Sequence, residues 1–565
     1  MAFSLAEDFY NRTPPLGFQF SSKLRRLKMG SLFRWRLQHY YPQKIIAIPQ
    51  DLRPSTPSLA RDFYNGRFPL AGRLVETGGS SPFQIHSPEQ KWEEALQGFG
   101  WLRHLAGANS ELDSAHARAL VSDWIQHYGH SLYGIAWQPD LVARRTLSWF
   151  YHSDFLLKNA SADFVQDFMR ALGRQISFLK TSLPTVPENE KRLFITLALS
   201  FSALCVPLPQ KTKEQFFTDL ATNLEKQILP DGGHISRSPI VLLELLTDLL
   251  SLRHVFLSLH KAPPQFLVRA IERMLPALRF FIHRDGHLAH FNGVGAVNQK
   301  HIQNIFSWDD TKGKCLSFAP YSGYQRLSFK ETTVIADIGK TPLRHLCSHT
   351  HAGCLSFEMS SATQRFIINA GLDTLGLAKT RLLGRLTAAH STATINNTSS
   401  CQFKKNAQSC QEPIADGVRN VKLSRIEGPE RAGFIASHDG YLKRMNLLHE
   451  RALTLTKDGK IIEGYDQFTH SSSGHAPSDV ETKIAIRFHL HPAIRARKDG
   501  SKNAILESPL GEAWLFCSLD SPCDIEESIY FGDNNGPVRT KQLALHIRPA
   551  LHNRVRWRLL RLISS

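Results

Sequence analysis

The sequence lacks the cysteine spacings that mark thiolate metal sites. Its eight cysteines form no Cys-x-x-Cys pair and no zinc-finger pattern, which argues against redox motifs and zinc fingers. The chain does not open with a basic segment followed by an apolar one, and no run reaches eighteen uncharged apolar residues. We therefore expect neither a signal peptide nor a membrane-spanning helix. The expected localisation is cytoplasmic, with the periplasm or cell envelope as the alternative.

Acidic residues are absent from Phe9 to Gln50, a stretch rich in lysine and arginine. The whole chain has 68 basic and 50 acidic residues, a formal charge of +18, which favours polyanionic partners such as an acidic polysaccharide or an anionic lipid. Two interpretations of residues 12–44 stay open: a solvated basic helix face, or peripheral contact with an anionic membrane. Because no nucleic-acid-binding motif accompanies the charge, nucleic acid is not an expected partner.

What the sequence does contain is enough apolar material for several cores: 565 residues, 42% of them hydrophobic. In the first half, apolar residues recur at helical spacing between breaks rich in Pro and Gly. The predicted helices are Ala115–Lys158, Ser161–Leu179, Arg192–Val206, Glu214–Ile228, Pro239–His260 and Pro264–His283. No fixed-period repeat accompanies them, so the pattern indicates an α/α toroid-like domain over residues 111–320. Residues 1–110 are expected to form a basic, irregular and helical region that packs on it.

After about residue 320 the pattern changes to short β-rich runs separated by polar turns. The predicted strands are Thr332–Ile338, Cys354–Ser360, Arg365–Asn369, Ser391–Asn396, Arg451–Thr456, Lys483–Leu490, Ala513–Cys517 and Gln542–Ile547. Many short strands with few helices between them are typical of an antiparallel β-sandwich, which we predict for residues 321–565.

The densest group of chemically useful residues enters one of these strands. His349 and His351 stand two positions apart, and such residues point to the same side of an extended chain. Asn369 and His390 follow, each at the end or start of a predicted strand. Because the sequence contains 26 histidines, pairs of this kind also arise by chance, and a satisfied polar network is the alternative to a functional site.

These segments resemble the C-terminal domain of the heparinase II/III-like family. The resemblance lies in the His349-x-His351 segment before Ser356-Phe357, in Asn369-Ala370-Gly371, and in His390-Ser391-Thr392. It implies an α/α toroid joined to an antiparallel sandwich, and a lyase that cleaves a uronic-acid glycan by β-elimination in the cleft between them. In such a reaction a base removes the proton next to the carboxylate while donors stabilise the enediolate.

The resemblance also implies residue roles. His349 would be the catalytic histidine. His351, Asn369 and His390 occupy the places where some members hold a structural zinc, although a carboxylate is the usual third ligand there, and an amide is weaker. Apart from zinc, no cofactor is expected.

The remaining candidates come from two loops and two strands. His234, Ser236 and Arg237 offer a titratable ring, a hydroxyl and a bidentate carboxylate partner within four residues. We expect His234, Arg237 and Tyr324 to act in catalysis, and Ser236, Asn292 and Arg451 to contact substrate. Family members carry a catalytic tyrosine after an Asp-Gly loop that resembles Leu229–Pro239, but Ile240 and Val241 come next here, and no residue takes the place of that tyrosine. The alternative is therefore a catalytically degenerate protein that binds an acidic glycan.

Overall fold

The computed structural model describes residues 41–562 except for 86–88, 310–312, 314, 377, 405–413, 471–481 and 549–552. Of the basic segment 12–44, only residues 41–44 lie within the described part. The described residues form a helical N-terminal region followed by antiparallel sheets, so the predicted fold class is confirmed. Contacts divide the chain into two units. The first contains residues up to Ile228, Glu244–Glu272 and Asn304–Asp310, and the second contains Leu229–Leu243, Arg273–Gln303 and Thr311–Ser565.

The helices begin where the sequence supplies caps. Ser110 and Asp113 form a capping box, in which each side chain accepts from the other's backbone N–H, and Pro139 starts a helix at its first position. The helices are α1 (Ser58–Tyr64), α2 (Gln90–Gln97), α3 (Leu102–Ala108), α4 (Glu111–Tyr128), α5 (Pro139–Tyr151), α6 (Ser153–Leu157), α7 (Ala162–Ser182), α8 (Glu190–Cys205), α9 (Gln210–Gln227), α10 (Pro239–Ser258), α11 (Gln265–Phe280), α12 (Gln299–Ser307), α13 (Ala378–Arg385) and α14 (Leu442–Met445).

The core of the helical unit is aromatic. Trp124 on α4 and Trp149 on α5 meet edge to face with ring centroids 5.6 Å apart, and Phe168 on α7 stacks on Trp149 at 4.8 Å. All three side chains are fully buried. Offset and edge-to-face pairs of this kind add to the stabilisation from apolar burial. No helix in the described part of the chain is both long and apolar enough to cross a membrane.

The second unit contains two large antiparallel sheets. The strands are β1 (Arg67–Leu70) and β2 (Arg73–Glu76), a hairpin in the first unit, then β3 (Phe318–Ala319), β4 (Tyr324–Phe329), β5 (Thr332–Asp337), β6 (Phe357–Ser361), β7 (Gln364–Ile368), β8 (Ala393–Ile395), β9 (Gln402–Phe403), β10 (Ile414–Asp416), β11 (Val421–Glu427), β12 (Arg431–His438), β13 (Leu447–Thr456), β14 (Ile461–His470), β15 (Ile484–Leu490), β16 (Arg495–Asp499), β17 (Asn503–Glu507), β18 (Ala513–Ser518), β19 (Asp524–Tyr530), β20 (Val538–Ile547) and β21 (Arg554–Leu562).

The two sheets enclose one apolar core. The eight-stranded sheet has the order β11-β12-β13-β14-β21-β18-β17-β16, and the nine-stranded sheet runs β19-β20-β15-β7-β6-β5-β4-β3 with β8 beside β15. Phe357 on β6 stacks on Trp557 on β21 with centroids 5.6 Å apart, and Phe488 on β15 packs against both rings. Strands β18 and β21 alternate buried residues with more exposed ones and contribute one face to this core, whereas β5, β6 and β7 are buried along their whole length. The expected sandwich is present.

Candidate functional site in the sandwich unit

The loop before α10 is fastened to the start of the nine-stranded sheet. Gly232 adopts a left-handed backbone with φ of 82°, which lets the loop turn, and the Asp231 carboxylate accepts from the backbone N–H of Tyr321 and Ser322 at 2.9 and 2.7 Å. Within the loop, His234 Nδ1 accepts from the Ser236 hydroxyl at 2.7 Å, and both side chains are buried. His234 and Ser236 therefore form a local pair beneath the loop.

Arg237 is buried and points into the protein. Its backbone is left-handed, with φ of 60°, and its guanidinium donates to the carbonyls of Ser322 at 2.7 Å, Lys340 at 2.8 Å and Gly323 at 3.1 Å, and to the Asp337 carboxylate. A charged group this deeply buried is stable only when its donors are matched in this way. Arg237 thus joins the loop to β4 and to the end of β5.

Tyr324 and Asn292 extend this network towards the histidines. The Tyr324 hydroxyl donates to the Arg237 carbonyl at 2.7 Å and accepts from Asn292 Nδ2 at 2.6 Å. On its other side, Asn292 Oδ1 accepts from the His351 backbone N–H at 2.8 Å. Tyr324 and Asn292 are almost fully buried. One amide side chain therefore ties the tyrosine to the His-x-His segment.

His351 and His390 form a neutral pair. His351 Nε2 accepts from the Gly293 backbone N–H at 2.9 Å, so its proton resides on Nδ1, which donates to His390 Nε2 at 3.1 Å. His390 Nδ1 in turn donates to the Leu386 carbonyl at 2.8 Å. Burial lowers the pKa of His390 to about 4, and burial followed by the neighbouring His390 lowers the pKa of His351 well below its usual range. Both rings are uncharged at neutral pH.

The predicted zinc ligands do not fit a zinc ion in this arrangement. A zinc-bound imidazole must present a bare ring nitrogen, whereas Gly293 holds His351 in the tautomer whose Nδ1 carries the proton. Asn369 Oδ1 accepts from the Ser391 backbone N–H at 2.9 Å, and its buried Nδ2 has no hydrogen-bond partner among the described residues. Within those residues, no group of three or more His, Cys, Asp or Glu side chains is arranged to hold a metal. The set is a hydrogen-bonded network.

His349 differs from its two neighbours because it is only half buried. It ends a short 3-10 turn, Arg344–His349, and lies against Gly293, whose φ is 90°. A Cβ at position 293 would come within 2.8 Å of His349 Cβ and 2.9 Å of Nδ1, so only glycine lets the ring lie this close. His349 is therefore the histidine of the segment that a ligand can reach.

Arg451 lies elsewhere, in the sandwich core. It is fully buried on β13, and its Nε donates to Asp466 Oδ1 at 2.8 Å, while Nη1 donates to the carbonyls of Leu355 and Ser391 at 2.8 and 2.7 Å. This position does not suit the predicted contact with substrate.

The structure brings the other sandwich-unit candidates together, and it adds two anchors that sequence reasoning missed, Asp231 and Asp337. A carboxylate at the end of a buried strand was the available signal for Asp337.

Comparisons with known proteins agree with this architecture. Residues 311–558 match the family model described as Heparinase II/III-like, C-terminal. The solved structure of heparinase III shares the fold with a TM-score of 0.72 at 14% identity, over 99% of this chain and 94% of that chain. Heparan sulfate lyase HepC from Pedobacter heparinus has a TM-score of 0.58 at 16% identity, over 99% of this chain and 93% of that chain.

A curated relative is similar along almost the whole length. It is FtsZ-localized protein C of Caulobacter vibrioides, which is 28% identical over 528 residues, covering 92% of this chain and 90% of the relative. Because the sequence identity of these solved structures to this chain is low, they establish the fold alone.

Proposed function

Because the chain carries a heparinase II/III-like C-terminal domain and shares the heparinase III fold, we propose that it binds an acidic, uronic-acid-containing glycan at the surface around His349. The observation that carries this proposal is the contrast within the histidine segment: His349 is partly exposed, whereas His351 and His390 are buried and neutral. A partly exposed imidazole can donate a hydrogen bond from its ring N–H to a carboxylate of the ligand. The net charge of +18 favours the same class of ligand.

The burial and hydrogen bonding of Tyr324 support glycan binding without β-elimination. A base that removes the proton next to a carboxylate must reach that proton. The Tyr324 hydroxyl is fully buried, and its proton is donated to the Arg237 carbonyl at 2.7 Å. Arg237 directs its guanidinium to the protein's own acceptors instead of to a ligand. We therefore favour the glycan-binding function over β-elimination, for which His349 would have to serve as the base.

Replacing His349 with alanine is expected to weaken glycan binding about tenfold, because a charge-assisted hydrogen bond contributes about 1.5–3 kcal/mol. The measurement is surface plasmon resonance of the full chain with heparan sulfate, chondroitin sulfate and polygalacturonate. His546→Ala is the matched control, since His546 is an exposed histidine on β20 that pairs with Glu526. Its affinity should equal that of the unmodified protein.

The same samples test for elimination through the near-ultraviolet absorbance of unsaturated products. We expect no rise in absorbance. A rise that disappears in His349→Ala would establish a lyase with His349 as its base, and one that disappears in Tyr324→Phe would give the tyrosine that role. Undiminished binding in His349→Ala would reject the proposed site.

A second candidate function is suggested by the relative named FtsZ-localized protein C, which matches over 92% of this chain. We propose that this protein also associates with FtsZ polymers, in the cytoplasm. Co-pelleting of the full chain with FtsZ assembled by GTP is the test. We expect the protein in the pellet with GTP and in the supernatant with GDP, for the unmodified chain and for His349→Ala alike. Equal amounts in both pellets would contradict this function.

Contact of residues 12–44 with an anionic membrane is a further proposal, based on charge alone.

A further inference from the structure

A charged pocket lies in the sandwich unit, among loops that the function proposed above does not use. Its volume is about 150 Å³, and the residues that line it include Ser400, Asp416, Arg419, Asp439, Lys443 and Arg444. These residues come from three segments, called loops below: residues 399–402, which end at the start of β9; 416–420, from the end of β10 to β11; and 439–444, between β12 and β13, which include part of α14. Neither His349 nor the buried histidine pair takes part in the wall.

The pocket is held open by bonds between its own loops. Asp439 accepts from the backbone N–H of Arg419 at 2.9 Å and from that of Asn420 at 3.1 Å, which fastens the second loop to the third. Arg444 Nη2 donates to the carbonyls of Ser399 and Gly440, which fastens the third loop to the first. A ligand would therefore enter a preorganised site and would not have to order the loops on binding.

The charges in the wall favour an anion. Three cationic side chains, Arg419, Lys443 and Arg444, stand beside two carboxylates. Asp416 pairs with Arg419 at 3.1 Å and with Lys443 at 3.2 Å, but these two cations are 72% and 78% exposed. Exposed ion pairs of this kind are worth at most about 1 kcal/mol, so both cations can turn to a ligand at small cost.

The size of the pocket limits the ligand. A volume of about 150 Å³ equals roughly five water molecules at their volume in the liquid. This space accommodates a single small unit and not several units of a polymer. The Asp416 carboxylate, whose side chain is 23% exposed, adds an acceptor for the hydroxyl groups that a sugar ring supplies.

We propose that this pocket binds one sugar unit bearing an oxyanion, with the exposed cations Arg419 and Lys443 beside the anionic group. The shared chemistry is a carboxylate or a phosphate on a hydroxylated ring. The site is separate from the glycan surface at His349, and it goes beyond the function proposed for that surface.

Isothermal titration of the full chain with glucuronate, glucose 1-phosphate and glucose tests this assignment. We expect saturable binding of at least one of the two anionic sugars and none of glucose. The double variant Arg419→Gln/Lys443→Gln should raise the Kd at least about tenfold, because it removes two charge-assisted hydrogen bonds to the anionic group. Arg497→Gln/Lys541→Gln is the matched control, since it removes two exposed, ion-paired cations from other strands.

The results separate the sources of the anion. Binding of glucuronate alone supports a sugar acid, binding of glucose 1-phosphate alone supports a phosphorylated sugar, and binding of both supports a general oxyanion site. Absence of saturable binding, equal binding of glucose, or an unchanged Kd in Arg419→Gln/Lys443→Gln overturns the proposal. His349→Ala should leave this Kd unchanged, so the pocket and the His349 surface can fail independently.

Discussion

Replacing Asp466 with alanine should lower the free energy of unfolding of the sandwich by about 3–5 kcal/mol, because removal of one partner leaves a buried charge unpaired. Asp466 is fully buried on β14, where it accepts from His449 Nε2 at 2.7 Å, from Arg451 Nε at 2.8 Å and from Trp557 Nε1 at 3.0 Å. The alanine variant strands the Arg451 guanidinium in the core.

Urea unfolding measures this loss, and hydrogen exchange of β13, β14 and β21 assigns it to the sandwich. Asp524→Ala is the control, because Asp524 is 56% exposed and pairs with an exposed lysine, Lys498. It should cost less than about 1 kcal/mol. An Asp466→Ala protein that is as stable as this control would show that the buried network contributes little.

Acid is expected to destabilise the protein steeply between about pH 6.5 and pH 4. Burial lowers the pKa of His290 and of His390 to about 4, whereas an unfolded histidine titrates near 6.5. Below pH 6.5 the unfolded chain therefore binds more protons than the folded one, and stability falls as the pH falls, until the folded histidines protonate as well. Each such histidine accounts for about 3 kcal/mol over this window.

The melting temperature measured at pH 7.5, 6.0 and 5.0 checks this prediction. It should fall at each step, and His390→Gln should make the fall shallower. His546→Gln, which changes an exposed ring, should leave the slope unchanged. A melting temperature that is the same at pH 7.5 and pH 5.0 would mean that the buried rings do not control acid stability.

Much of the fold follows from local patterns. The predicted strands Thr332–Ile338 and Lys483–Leu490 correspond to β5 and β15, because apolar runs bounded by polar turns carry a strong local signal. The helical pattern over Ala115–Lys158 is divided in the structure, since α4 ends at Tyr128 and Pro139 starts α5. Strand β21 was missed, although its arginines alternate with Val555, Trp557 and Leu559 in the pattern of a half-buried strand.

The site was less predictable than the fold. The sequence identifies His349, His351 and His390, but not which of them is exposed. That depends on Gly293 and Asn292, which reach the histidines from 58 and 59 positions away in the chain. The inward direction of Arg237 depends on its left-handed backbone and on Asp337, which is 100 positions away. Such pairings are decided by tertiary packing, and a single sequence carries no local trace of them.

The buried hydrogen bonds of Arg451 limit which residues of this protein can be changed by engineering. Its two carbonyl bonds fix Leu355, which has a left-handed backbone, and Ser391, which follows His390. Arg451 thus holds the backbone next to the histidines from inside the sandwich, in addition to the bonds from Asn292 and Gly293. Side chains exposed beside His349 can be randomised in a library with little penalty to folding, whereas Arg451 should be kept constant. In this domain, exposed residues beside His349 can therefore be varied separately from the buried residues that build the fold.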